Sequence, residues 1–313
     1  MTNLSEFTFL SSDGKTQLHG MLWEPEGVAV RAVLQICHGV AEHIARYDGF
    51  ARALNEQGIV VAGHDHLGHG KSLPEGGTPV YFGDGNTWNT VVDDIYVLHQ
   101  RLKQRYPDAP LCIMGHSMGS FLTRTYLIRY PGTVKAAVIM GTGWQPQAAI
   151  TGGLALANAI AAVSGENATS ELVTELAFGS YNKLFAPNRT KVDWLSADES
   201  NVDDYIADPL CGADATVGLF RQMLHGIRFN QRQSHLRQMD REMPVLFVAG
   251  DKDPVGNCGK GVRQTYDAFR AAGMRDCTLK LYPGLRHEIL NEKAYTADIT
   301  KNIEAWLLSR LEK

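Results

Sequence analysis

The sequence is poor in the features that announce several large protein classes. It has no C-x-x-C pair: its five cysteines, Cys37, Cys112, Cys211, Cys258 and Cys277, are odd in number and widely spaced. That pattern excludes a disulfide framework and fits a reducing compartment. There is no basic excess, with 30 Lys and Arg against 34 Asp and Glu, so the charge footprint of a nucleic-acid binder is missing. The opening stretch MTNLSEFTFLSSDGK has no basic segment leading into an apolar core, so no secretory signal is expected. The longest uncharged run, Ala148–Val163, is interrupted by glycine and asparagine and falls short of the ~20 apolar residues of a membrane span. No G-x-G-x-x-G follows a strand, and GNCGKGV (256–262) lacks the spacing of a phosphate loop, so no nucleotide is implied. A cytoplasmic protein without a cofactor is the expectation.

What is present is enough apolar material for one large buried core. Hydrophobic residues make up 44% of the chain and charged residues 20%, the balance of an ordered globular protein. Residues 6–23 alternate apolar and polar around an Asp-Gly turn, the pattern of an antiparallel hairpin. From RAVLQIC (31–37) onward, short apolar runs alternate with helical patterns. IVVAG (59–63), LCIMG (111–115) and AAVIMG (136–141) read as strands, and 46–57, 87–105 and 118–130 as helices. Continuous apolar strands are covered on both faces, and the alternation predicts a mostly parallel sheet between helical layers. It lapses over about 145–240 and resumes at MPVLFVAG (243–250), with a helix near 261–272, the strand CTLKLY (277–282) and a last helix near 291–311. The organisation expected is an α/β core, residues 1–144 and 241–313, with a helical insertion at 145–240.

Ser117 stands in GHSMG, where strand 111–115 gives way to helix 118–130. This is the setting of a nucleophile elbow: flanking glycines let the backbone pass, and the helix start offers the Met118 N–H to an oxyanion. The plain alternative is a serine that caps the helix. A serine nucleophile needs a base, and the base needs an acid to orient it. In this arrangement they follow in the order Ser, Asp or Glu, His, each on a loop after a strand. LFVAGDKDPVG supplies Asp251 and Asp253, and LKLYPGLRHEIL supplies His287. The carboxyl ends of parallel strands share one edge, so the three can meet. Asp251, directly after its strand, suits a turn cap and Asp253 the acid. The loop HGVAEH (38–43) offers the Val40 N–H as second oxyanion donor.

HGVAEHIARYDGFARAL, GHDHLGHGKS, GHSMGS, GDKDPVG and LRHEILNE together resemble the monoacylglycerol lipase and lysophospholipase-like branch of the α/β-hydrolases, over roughly 30–144 and 240–313. The resemblance implies an α/β-hydrolase fold, Ser117, Asp253 and His287 as a catalytic triad, and a helical cap after strand 136–141. FGSYNKLF and DWLSADESNVDDYIADPLCG look like the cap of bacterial members. It also favours Glu42 and Arg46 as binders of a polar head group such as glycerol; by spacing alone they are an ordinary i,i+4 ion pair. A helix built from Ala148–Val163 is apolar nearly all round and must be buried or face a lipid. It is expected to be the apolar lip of the cap, with Leu154 and Leu156 governing acyl-chain entry.

The activity expected is that of a serine ester hydrolase acting on a lipid-like ester, a monoacylglycerol or lysophospholipid, through an acyl-enzyme on Ser117. A peptidase or amidase with the same triad, and a non-catalytic ligand receptor on the same fold, are the alternatives. HDHLGHG (64–70) brings together His64, His66, His69 and Asp65, but its place between parallel strands points to a structural loop. Nothing elsewhere completes a zinc set, so no metal is expected. The partners expected are a small ester and, through the cap, a transient membrane surface, with no nucleic acid.

Overall fold

The computed structural model describes residues 1–311. These carry one eight-stranded sheet in the order β1-β2-β4-β3-β5-β6-β7-β8. β1 (Thr2–Leu10) and β2 (Gln17–Pro25) form the expected hairpin, and β2 continues antiparallel onto β4 (Ile59–His64). β3 (Ala32–Cys37), β4, β5 (Leu111–His116), β6 (Ala136–Met140), β7 (Val245–Gly250) and β8 (Cys277–Tyr282) run parallel. Every position of β3 to β7 is buried, which is why these strands read as unbroken apolar runs.

Alternate side chains of each strand serve opposite layers. Val33, Val60, Ile113 and Ile139 join the layer containing α2 (Thr87–Arg105) and α3 (Met118–Arg129). Leu34, Val61, Met114 and Val138 pack with α1 (Asp48–Asn55) and the last helix, Thr296–Leu311. Each such side chain contributes about 1.5–3 kcal/mol by leaving water, so the two layers hold the sheet from both sides. Strand order reverses at β3, with β4 on one side and β5 on the other. The carboxyl edge beside such a reversal opens a crevice, and the loops after β3, β5, β6, β7 and β8 all leave from that edge.

Between β6 and β7 the chain is helical among the described residues, apart from an isolated bridge joining Thr169 and Thr216. Two helices dominate it, α4 (Gln147–Ser164) and Val217–Asn230, and they pack on each other. α4 buries Ile150, Leu154 and Ala157, one stripe at helical spacing, and leaves Val163 89% exposed. By length and composition it could cross a membrane, although at about 27 Å it is just short of a ~30 Å hydrocarbon core. Leu154 belongs to the packed stripe, and neither it nor Leu156 lines the cavity described below. These two leucines are therefore not the acyl-chain lip that their sequence suggests.

α3 starts so close to β3 that a Cβ on Gly119 would run into the Cys37 carbonyl and come within 2.5 Å of the His38 carbonyl. Alanine gains about 1 kcal/mol over glycine in a helix, but a clash with backbone cannot be relieved by a rotamer. Gly119→Ala should lower stability by about 1–3 kcal/mol in urea unfolding; a neutral or stabilised variant would mean that α3 and β3 are not held at this distance.

Candidate active site

Ser117 takes φ 54° and ψ −123° between β5 and α3, a left-handed conformation that costs a non-glycine residue of order 1–3 kcal/mol. Its N–H donates to the Met140 carbonyl at 3.0 Å, and its carbonyl accepts from the Ser120 N–H at 2.9 Å and the Ser120 hydroxyl at 2.6 Å. On the inner side of the turn, a Cβ on Gly115 would overlap the Gly119 carbonyl and the Thr123 hydroxyl. Glycine at both flanks is thus a requirement of space. The serine hydroxyl itself has no hydrogen-bond partner among the described residues, so it does not cap the helix.

His287 and Asp253 are both buried. His287 Nδ1 lies 3.0 Å from Asp253 Oδ1, which also accepts the Val255 N–H at 2.9 Å. Asp251 is turned away and accepts the Gly284 N–H at 2.8 Å. The imidazole packs on the His116 and Trp194 rings at 4.7 and 5.1 Å between centroids. His287 Cε1 stands 3.1 Å from where a Cβ on Gly141 would be, and Gly141 follows Met140, which holds Ser117. The imidazole and the serine therefore flank the same point of β6. No hydrogen bond joins them; such bonds are often long without substrate. The Val40 and Met118 N–H groups have no acceptor among the described residues.

Behind the turn lies a buried ionic network. Glu42 accepts from the Gly39 N–H (2.6 Å), Arg46 Nη1 (3.0 Å), the Tyr47 hydroxyl (3.1 Å) and His116 Nδ1 (3.2 Å). Arg46 also grips both oxygens of Glu288 at 2.7 and 2.8 Å. Burial alone would push the Glu42 carboxyl up, but His116 and Arg46 hold it well below the usual range. Burial likewise pulls His116 down, and the Glu42 carboxylate raises it above its ordinary value. Nδ1 faces Glu42 and Nε2 faces the His287 carbonyl at 3.3 Å, so both ring nitrogens of His116 have an acceptor within reach. The i,i+4 pair expected of Glu42 and Arg46 exists. Their expected contact with a head group has no footing, because neither lines the cavity and their polar atoms are engaged with each other and with Glu288.

A cavity of about 720 Å³ opens over Ser117. Val40, Met118 and Phe121 form its floor, and Ile150, Tyr181, Trp194, Phe220 and Met223 of the insertion form its walls. Leu176 and Leu184 also line it while remaining 62% and 60% exposed, so they mark its mouth.

The chain matches the family described as "Serine aminopeptidase, S33" over residues 28–294. It belongs to that α/β-hydrolase family. It is 31% identical to a monoacylglycerol lipase of Mycolicibacterium smegmatis, over 98% of each chain. It is 28% identical to the monoglyceride lipase of Mus musculus, covering 96% of this chain and 90% of that one. A carboxyl esterase from Bacillus coagulans, solved in complex with glycerol, superposes with a TM-score of 0.92 at 26% identity, covering 99% of this chain and 100% of that one.

In this α/β-hydrolase the HDHLGHG segment is a structural loop. Asp65 accepts from His19 Nδ1 and the Ile44 and Lys71 N–H groups at 2.8–2.9 Å. The rings of His38, His64, His66 and His69 pack on one another, the closest pair, His38 and His66, at 4.2 Å. Neither side-chain nitrogen of His64 or His66 has a partner among the described residues. Burial pushes all four below their ordinary value, His64 and His69 to about 3. Tyr47, His116, Glu288 and Trp194 escaped the sequence reading, although His116 sits inside GHSMG and Glu288 directly follows His287.

These histidines stay neutral when folded and bind protons when unfolded below about pH 6.5. Their contribution is whole above that pH and is lost as pH falls below it, for His64 and His69 down to about 3, each adding up to about 1.4 kcal/mol per pH unit. Urea unfolding at pH 7 and pH 5 should show a steep acid loss, and His64→Leu should make it shallower. An unchanged slope in that variant would mean that His64 titrates normally in the folded protein.

Proposed function

We propose that the chain hydrolyses carboxylic esters of one acyl chain on a small polar alcohol, of monoacylglycerol or lysophospholipid type. His287 Nε2 takes the Ser117 proton as Oγ attacks the ester carbonyl carbon, and the oxyanion is met by the Val40 and Met118 N–H groups. The C–O bond to the alcohol then breaks, the alcohol leaves with the proton from His287, and an acyl-serine remains. Water, deprotonated by the same imidazole, releases the acid and restores Ser117. Asp253 holds the imidazole in its tautomer and stabilises the imidazolium. The observation that carries this reading is the buried Asp253–His287 hydrogen bond beside a strained serine at the floor of an apolar cavity.

The family description names a peptidase, and the same groups cleave amides. The apolar walls and the esterase and lipase relatives favour an acyl chain over a peptide. In this reading Glu42 and Arg46 position the loop that carries Val40. The insertion, about 145–240, is the cap, and exposed Leu172, Leu176 and Leu184 make its contact with a lipid surface. Five cysteines without a disulfide among the described residues fit a reducing cytoplasm.

Ser117→Ala should abolish ester hydrolysis with the fold intact, and a serine-directed phosphonate should label only the parent protein. Undiminished labelling of the Ala variant would move the nucleophile elsewhere. Asp253→Asn should lower kcat by roughly 10³–10⁴-fold, and Asp251→Asn far less; the reverse ranking would exchange their roles.

The mouth residues make a separate prediction. Replacing Leu176 and Leu184 with Ser should reduce turnover of long-chain esters much more than of short soluble ones, measured side by side. Equal losses would give these residues a purely structural role.

A further inference from the structure

A tight turn and a loop meet where the insertion heads back to the core. The Cys211 N–H donates to the Asp208 carbonyl at 3.0 Å, closing the turn Asp208-Pro209-Leu210-Cys211 so that both end side chains leave it together. Asp208 and Cys211 have the sequence separation at which paired cysteine ligands of zinc sites leave one turn. The third donor comes from the loop after β3: His43 Nε2 lies 2.8 Å from Asp208 Oδ2. The imidazole nitrogen, a carboxylate oxygen and the Cys211 sulfur all lie within 4.8 Å of one another. Bonds of about 2.0–2.3 Å to a tetrahedral zinc ion set donors roughly 3.3–3.6 Å apart, so His43 and Asp208 would part by about half an ångström, giving up their hydrogen bond, while the Cys211 sulfur closes in.

The surroundings hold this arrangement in place. The Leu210 N–H donates to Asp208 Oδ1 at 2.9 Å, which turns Oδ2 toward His43. The Gly212 N–H and the Tyr205 hydroxyl both donate to the Ala41 carbonyl at 3.0 Å, pinning the turn against the loop of His43. Arg46, the cation near Cys211, is held in ion pairs with Glu42 and Glu288.

We propose that His43, Asp208 and Cys211 bind Zn²⁺, with water as fourth ligand, and so clasp the insertion onto the loop that carries Val40. Four bonds form, from Nε2, a carboxylate oxygen, Sγ and water. The hydrogen bond between His43 Nε2 and Asp208 breaks, the imidazole binds as its Nδ1–H tautomer with Nε2 giving up its proton, and the thiol proton passes to solvent. One nitrogen, one oxygen and one sulfur donor favour zinc over magnesium or calcium, which take oxygen ligands.

The test uses the full chain, stripped with a chelator and titrated with zinc chloride alone. One equivalent per chain should bind and raise the thermal midpoint. Cobalt in its place should give a thiolate-to-metal charge-transfer band that Cys211→Ser removes. His43→Ala and Asp208→Asn should each weaken zinc binding at least about tenfold and abolish the thermal shift; should one variant fail to fold, the other two decide. Absence of stoichiometric binding, or variants that bind like the parent protein, would overturn the proposal and, in the second case, place the ion elsewhere. None of these readouts depends on ester hydrolysis, so they stand or fall apart from the role of Ser117.

Discussion

The carboxylate of Glu42 is the contact on which the geometry of the site depends. It receives the Gly39 N–H, Arg46, Tyr47 and His116, and Arg46 passes the connection on to Glu288. Two loops and a strand end are thereby joined: the loop after β3, the end of β5 and the loop after β8. Asn201, between β6 and β7, adds its side-chain N–H to Glu288 at 2.8 Å, so that segment is tied to the same network. Buried ion networks of this kind gain little net stability, because desolvation offsets their attraction. Their effect here is positional. Removing one charge would leave its partners buried without water or a counter-charge.

Against that fixed background the strain at Ser117 can persist. The turn is held by Met140 on one side and Ser120 on the other, and the bare backbone of Gly115 and Gly119 lets helix and strand close around it. The result is a hydroxyl without a partner beside two N–H groups without acceptors among the described residues. Unpaired polar groups at a site mean that no internal bond must break before a ligand is met, which is the physical content of preorganisation.

The helix Val217–Asn230 gives the insertion its two-sided character. Phe220, Met223, Leu224 and Ile227 face the apolar cavity over Ser117. Arg221, Gln222, His225 and Arg228 face a second cavity of about 590 Å³ beside the start of α2. Both sets recur at helical spacing, so one rigid element separates an acyl-sized apolar space from a polar one. Trp88 packs against this helix closely enough to leave room only for glycine at position 226, fixing the wall to the core.

The parallel strands, the hairpin and the order Ser, Asp, His were legible in the sequence because each is a local matter. Burial on both faces writes continuous apolar runs, and a strand-to-helix turn without room for Cβ atoms writes Gly-x-Ser-x-Gly. Position along one loop also separates two aspartates: Asp253 lies beside His287, and Asp251 accepts from Gly284. Other features are set by contacts between residues far apart in the chain. Glu42 and Arg46 read as an i,i+4 ion pair or, by resemblance, as binders of a head group, yet Glu288, 242 positions from Arg46, engages that arginine inside the protein. Leu154 and Leu156 read as a lip, yet packing against another helix turned the run so that Leu176 and Leu184 took the mouth. His43 and Asp208, 165 positions apart, carry no shared pattern at all. Sequence periodicity records which face of an element is apolar; which partner covers that face, and which distant charge meets a buried one, is decided only when the layers close.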